Sequence, residues 1–218
     1  MIITQQKDFT ELLRRIDSKP VFLIGCNECA TICHTGGEEE ILAIKDLLEQ
    51  NNIPVTGWVI LEPACHLLND KRLLKKYVAE LDKSAKILVL ACGNGVQTVS
   101  EVLSEKEVIA GTDTLFLGEI SRLNEFDKRC MLCGECLVDD FAGFCPVARC
   151  PKSMLNGPCG GSTNGKCEVD SDLECVWDLI YKQLKRQGTL KILLEIQKPK
   201  DWSKELQVKR RIHCELPK

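Results

Sequence analysis

A chain of 218 residues, 44% apolar and 28% charged, is long enough to bury a core and has an ordinary globular composition. Its net charge of −3 excludes no function class, but fourteen cysteines in a chain so rich in Leu, Ile and Val exclude a small disulfide-stapled fold. The start MIITQQKDFTELLRRID has no basic-plus-apolar leader, and no apolar run approaches the ~18 residues of a membrane helix, so the expectation is a cytoplasmic protein whose thiols serve as metal ligands.

In chain order, Phe9, Leu12, Leu13 and Ile16 have the spacing of an amphipathic first helix. VFLIG after Pro20 predicts a buried strand ending at Gly25, followed by a cysteine-rich loop and the helix EEEILAIKDLLEQNN, whose leading glutamates suit a helix N-terminus. The unit repeats: strand PVTGWVILE, Cys65, then the helix NDKRLLKKYVAELDK capped by Asn69 or Asp70. It repeats again with strand KILVLA, Cys92 and helix VQTVSEVLSE, and a last apolar run, TLFLG, ends the block near Gly118. Alternation of this kind predicts an α/β fold, a small mostly parallel sheet with flanking helices, over residues 1–120.

Residues 121–176 read as a cysteine-rich segment organised by metal, because eight cysteines and many turns leave little apolar material for a core. Residues 177–218 read as a helix and a basic tail. Val176, Leu179, Ile180 and Leu184 form its stripe, and TLKILLEI fits a strand or a helix end. From residue 182 onward the chain carries 11 Lys and Arg against 4 Asp and Glu, a net +7 on an acidic body. Trp202 with Lys209, Arg210 and Arg211 suggests a docking element for a larger partner; Cys214 stands alone in the tail.

The positions of the cysteines say more than their number. Cys26, Cys65 and Cys92 each follow a predicted strand, and in an open parallel sheet such loops meet at one edge, where ligands bind. Cys29 and Cys33 share the Cys26 loop, giving five thiols for the four positions of a cubane, with Cys29 and Cys33 competing for one place. His34 and His66 adjoin this set and suit hydrogen bonding to a cluster better than ligation. The pair Gly93 and Gly95 hints at a phosphate loop but lacks its third glycine.

Further on, Cys130, Cys133 and Cys136 make C-x2-C-x2-C, the loop in which three thiolates reach one cubane. Cys145 and Cys150, each followed by proline, are candidates for the fourth ligand, and Cys159, Cys167 and Cys175 sit in turns suited to a second tetrahedral site. Eight thiolates can hold two cubanes, one cubane plus zinc, or one cubane with spare cysteines; zinc ribbons share the C-x2-C spacing.

The strings GCNECATICHTGGE, ACGNGVQTV and above all CPVARCPKSMLNGPCGG with GKCEVD and CVWDLIY resemble the methylenetetrahydrofolate reductase C-terminal domain family, over about residues 20 to 185. That family includes the MetV-type iron–sulfur small subunit that accompanies a MetF-type flavoprotein in acetogenic bacteria. The resemblance implies two or more 4Fe-4S clusters in this chain, flavin only on the partner, and electron transfer to or from that flavin in one-carbon metabolism. It also implies ferredoxin or another electron-donating protein as a second partner. By itself the chain offers no eight-unit barrel, no full dinucleotide fingerprint and no folate-handling constellation, so the expectation is a non-catalytic subunit of an oxidoreductase complex that binds no nucleic acid. Two alternatives stand beside it. A hydratase-like enzyme would leave one cluster iron open, and a zinc-organised interaction or assembly protein would have no redox activity.

Overall fold

The computed structural model describes residues 1–205, and the chain divides into two compact units, Met1–Phe126 and Asp127–Lys218. The first unit opens with a strand that the sequence pattern did not announce, β1 (Ile2–Gln6), followed by helix α1 (Phe9–Ile16), whose N-terminus is capped by the Asp8 side chain accepting from the Thr10 N–H. Then come β2 (Val21–Cys26), the short helix α2 (Cys29–Ile32), α3 (Glu38–Gln50) and β3 (Val55–Leu61). Next are α4 (Leu67–Leu74), a 3-10 turn and α5 (Val78–Lys83), then β4 (Lys86–Leu90), α6 (Gly93–Val102) and β5 (Glu107–Ala110).

Strands β2 to β5 form a four-stranded, wholly parallel sheet in the order β3-β2-β4-β5. Its faces are legible residue by residue, because side chains alternate along a strand. Phe22, Ile24 and Cys26 of β2 and Ile87 and Val89 of β4 face one core, which Leu74, Leu81 and Val99 of α4, α5 and α6 complete. Val21, Leu23, Leu88 and Leu90 face the other, filled by Leu12 and Ile16 of α1 and Ile41, Ile44 and Leu48 of α3. The chain leaves β2 toward β3 on one side and leaves β4 toward β5 on the other. The carboxyl ends of β2 and β4 therefore flank the topological switch point, the usual ligand crevice of such sheets.

Two details depart from the sequence pattern. The apolar run TLFLG belongs to β6 (Thr112–Arg122), which pairs antiparallel with β1 outside the parallel sheet; the run's polar neighbours suit a ladder with one wet face. Helix α4 is capped by His66, whose Nδ1 accepts from the Asn69 N–H at 3.3 Å, whereas Asn69 lies inside the helix and Asp70 is buried.

Strand β7 (Glu125–Cys130) leads into the second unit, which contains a 3-10 turn, the one-turn helix α7 (Pro146–Arg149), helix α8 (Val176–Gln187) and two further 3-10 turns at Leu190–Leu194 and Trp202–Lys204. TLKILLEI, read as a strand or a helix end, holds the 3-10 turn Leu190–Leu194. The cysteine-rich segment has more of a core than its composition promised: Phe141 stacks edge-on against Trp177 at 5.5 Å between ring centres, and Val176, Ile180 and Leu184 of α8 close around them. Helix α8 supplies the apolar surface that the segment lacks. Among the described residues no helix is long and apolar enough to cross a membrane.

Candidate functional site

Cys26 is the last residue of β2 and is buried; its N–H donates to the Gly36 carbonyl at 2.9 Å, closing the loop that carries Cys29 and Cys33. Gly36 lies so close to β4 that an added Cβ would sit 1.9 Å from the Leu90 carbonyl oxygen, so only glycine lets this loop fold onto the sheet edge. Strand β1 braces the other side. Thr4 and Thr35 share a buried hydroxyl–hydroxyl bond of 2.6 Å, and Gln6 donates to the Thr35 carbonyl. The Ile2 N–H donates to Cys29 Sγ at 3.5 Å, while the Cys33 thiol turns to the Ile2 carbonyl.

Cys65 follows β3 and Cys92 stands at the N-cap of α6. Their loops meet at Gly95, where an added Cβ would lie 3.0 Å from the Cβ atoms of both Ala64 and Ala91. Gly95 is thus explained by close packing, without a phosphate. Strand β6 fixes the Cys92 loop as β1 fixes the Cys26 loop: Thr112 donates to the Ala91 carbonyl at 2.5 Å and the Gly93 N–H donates to Thr114 at 2.8 Å. The antiparallel pair β1–β6 therefore holds both cysteine loops.

The electrostatics identify which thiols share a field. Burial pushes the Cys26 thiol above its ordinary pKa, backbone N–H groups of Ala64 and Glu28 pull it back, and the charges of Cys92 and Cys29 raise it again. Burial also raises Cys65, with Cys92, Cys26 and Cys29 adding to the effect. Four thiols that would repel one another as thiolates, with N–H groups aimed at the sulfurs of Cys26, Cys29 and Cys65, are a donor set that a bound cationic core would satisfy. Cys33 contributes to neither shift and faces backbone. His34 lies 3.8 Å from Glu40, and His66 spends its Nδ1 on the helix cap.

In the second unit, Leu132 and Gly134 adopt positive φ (56° and 74°), curling the chain between Cys130, Cys133 and Cys136. The Leu132 N–H donates to Cys130 Sγ at 3.3 Å, the same sulfur-directed bond seen at Cys29. The tail folds back on this loop: Lys204 meets Glu135 at 2.5 Å, Lys200 donates to the Glu135 carbonyl, and an added Cβ at Gly134 would lie 2.8 Å from the Lys204 carbonyl oxygen. The Lys204 ammonium holds the Glu135 carboxyl below its ordinary pKa. Trp202 is 42% exposed, while Lys209, Arg210, Arg211 and Cys214 lie outside the described residues. Cys145 caps α7, with Pro146 at the first helical position.

The other four cysteines group separately. Cys150, Cys159, Cys167 and Cys175 line one small cavity of about 20 Å³. A larger cavity of about 410 Å³, walled by Phe141, Trp177, Tyr181 and Ile192 among others, has no cysteine in its lining. Among the described residues no three Cys, His, Asp or Glu side chains are grouped so that they could hold a metal ion.

Residues 109–203 match the family model described as Methylene-tetrahydrofolate reductase C terminal. The segment resembles that family. The matched span holds all eight cysteines from Cys130 to Cys175, whereas GCNECATICHTGGE and ACGNGVQTV precede it. No curated protein and no solved structure matches the chain. The family's name refers to a reductase, an oxidoreductase of one-carbon metabolism.

Proposed function

We propose that the chain is an iron–sulfur electron-transfer subunit of a methylenetetrahydrofolate reductase complex, exchanging electrons with the flavin of a MetF-type partner. The observation that carries this reading is the gathering of Cys26, Cys29, Cys65 and Cys92 around the switch point of the parallel sheet. That set would hold one 4Fe-4S cluster. Cys130, Cys133 and Cys136 would hold a second, with Cys145 as fourth ligand, since Cys150 lies in the separate four-cysteine cavity. A bound cluster supplies one-electron transfer.

The chain's own residues set the conditions for that chemistry. The N–H groups of Ile2, Glu28, Ala64 and Leu132 lie toward sulfurs and favour the more reduced, more negative state. Sheet residues Ile24 and Val89 keep water from one side of the first site. Lys200 and Lys204 lay positive charge against the loop of the second. The exposed Cys130 and Cys136 leave that second loop open for electron exchange with a partner or with a ferredoxin-like donor.

Anaerobic purification from an iron-replete host, with iron and sulfide analysis and low-temperature paramagnetic resonance after reduction, tests the reading. About eight irons per chain and two reduced-cluster signals are expected from two cubanes. A colourless protein with no iron would instead be the zinc-organised interaction protein. Mixing with the flavoprotein should then show the flavin exchanging electrons with the bleaching or recovering cluster absorbance.

A further inference from the structure

The cavity shared by Cys150, Cys159, Cys167 and Cys175 arises from four separate pieces of chain. Cys150 follows the one-turn helix α7, its N–H held by the Pro146 carbonyl at 3.0 Å. Cys175 caps the twelve-residue helix α8, whose N-terminus favours a thiolate. Lys166 and Glu174 form an antiparallel bridge, flanked by bonds from the Cys167 N–H to the Leu173 carbonyl and from the Cys175 N–H to the Gly165 carbonyl. In that register Cys167 and Cys175 are diagonal neighbours on the face opposite Lys166 and Glu174. Cys159 arrives from a glycine-rich loop and meets Glu168 at 3.5 Å.

Size separates this site from the cluster loops. A volume of about 20 Å³ admits a single ion or one water. A cubane, with four irons and four sulfides, would have to part walls that include Val176 and Trp177, both packed in the unit's core. Arg149 and Lys152 line the same cavity together with Glu168 and Glu174, and Lys152 pairs with Glu168, so the charged lining is balanced. An all-sulfur set of four thiolates is the donor chemistry that selects zinc or iron, and zinc binds the more tightly of the two divalent ions.

We infer that Cys150, Cys159, Cys167 and Cys175 form a structural tetrathiolate zinc site, distinct from any iron–sulfur cluster, that ties the segment before α8 to the N-terminus of that helix. The inference does not depend on the electron-transfer reading. Iron-free protein that keeps its zinc would end that reading and leave this one standing.

The test uses the full chain purified anaerobically, with zinc and iron measured together. The expected result is one zinc per wild-type chain, lost in Cys167→Ser and in Cys159→Ser, with iron content and visible absorbance unchanged. Cys159 is exposed in a loop, so its replacement tolerates the fold even if that of Cys167 does not. X-ray absorption at the zinc edge of the wild type should show four sulfurs at ~2.3 Å. Wild-type protein without zinc, a mixed nitrogen or oxygen shell, or iron falling in step with the substitutions would each overturn the assignment.

Discussion

The backbone of Ile2 divides the labour of two cysteines: its N–H donates to Cys29 Sγ at 3.5 Å, and its carbonyl takes the Cys33 thiol at 3.7 Å. One sulfur is left an acceptor beside the switch point; the other is occupied as a donor to a strand.

Cys29→Ala should therefore remove about one cubane's worth of iron, roughly four atoms per chain, while Cys33→Ala keeps all of it. The buried Cys33 side chain contributes only packing and a weak bond, so its loss should cost about 1 kcal/mol. Iron assays on the two anaerobic variants decide the matter; equal iron in both, or the reverse order, refutes the assignment.

Gly95→Val should separate the Cys65 and Cys92 loops. Branched methyls cannot be placed where even a Cβ lies 3.0 Å from Ala64 and Ala91, and overpacking of this kind costs ~1–3 kcal/mol. Denaturation under anaerobic conditions should show that loss together with depletion of the first cluster. A stable variant with full iron would mean that the two loops need not touch.

Asp70 has no hydrogen-bond partner for either carboxylate oxygen among the described residues, and burial pushes its pKa up to about 6, against an opposing pull from His66. The folded state therefore binds the proton more tightly than the unfolded chain, whose carboxyl titrates near ~3.9. Stability falls as pH rises from about 4 to about 6, and the whole cost, at most ~3 kcal/mol, is present above that. Asp70→Asn should be more stable than wild type at pH 7.5, and the gap should narrow steadily toward pH 4.5. Denaturant midpoints of the metal-free chain at the two pH values measure it; a pH-independent gap would show that the carboxyl is not the source.

The parallel sheet, its flanking helices and the meeting of three cysteine loops at one edge were legible because buried strands write themselves as VFLIG and KILVL. Strand β1 was not, since IITQQ lacks an apolar run or alternation: its two buried residues, Ile3 and Thr4, are adjacent and so lie on opposite faces. The same blindness hid its work on Cys29 and Cys33, which spacing alone left in competition. Cys159, Cys167 and Cys175 were already grouped by their turns, but the place of Cys150 with them was equally out of reach. It depends on a short bridge between residues 166 and 174 and on a cavity, neither of which leaves a periodic trace.

The tail offers a fourth expectation. Lys200 and Lys204 clasp Glu135, so ending the chain at Lys198 should uncover the Cys130–Cys136 loop and speed the bleaching of its cluster in air. Trp202→Ala, which leaves that clasp in place, should spare the cluster and weaken capture of the flavoprotein, because a half-exposed Trp is a typical interface anchor. Comparison of bleaching rates with pull-down yields separates the two roles. Unchanged bleaching in the shortened chain would show that the clasp shields nothing.

The β1–β6 brace also imposes an order of events during synthesis. The Cys26 loop leaves the ribosome some eighty residues before Thr112 and Thr114, which hold the Cys92 loop. Until that strand emerges and pairs with β1, the thiols made before it wait as an unfinished and oxidisable set. Completion of the first cysteine set would in this sense be timed by translation. A cell that stalls the ribosome before residue 112 would expose these cysteines to oxygen without the means to protect them.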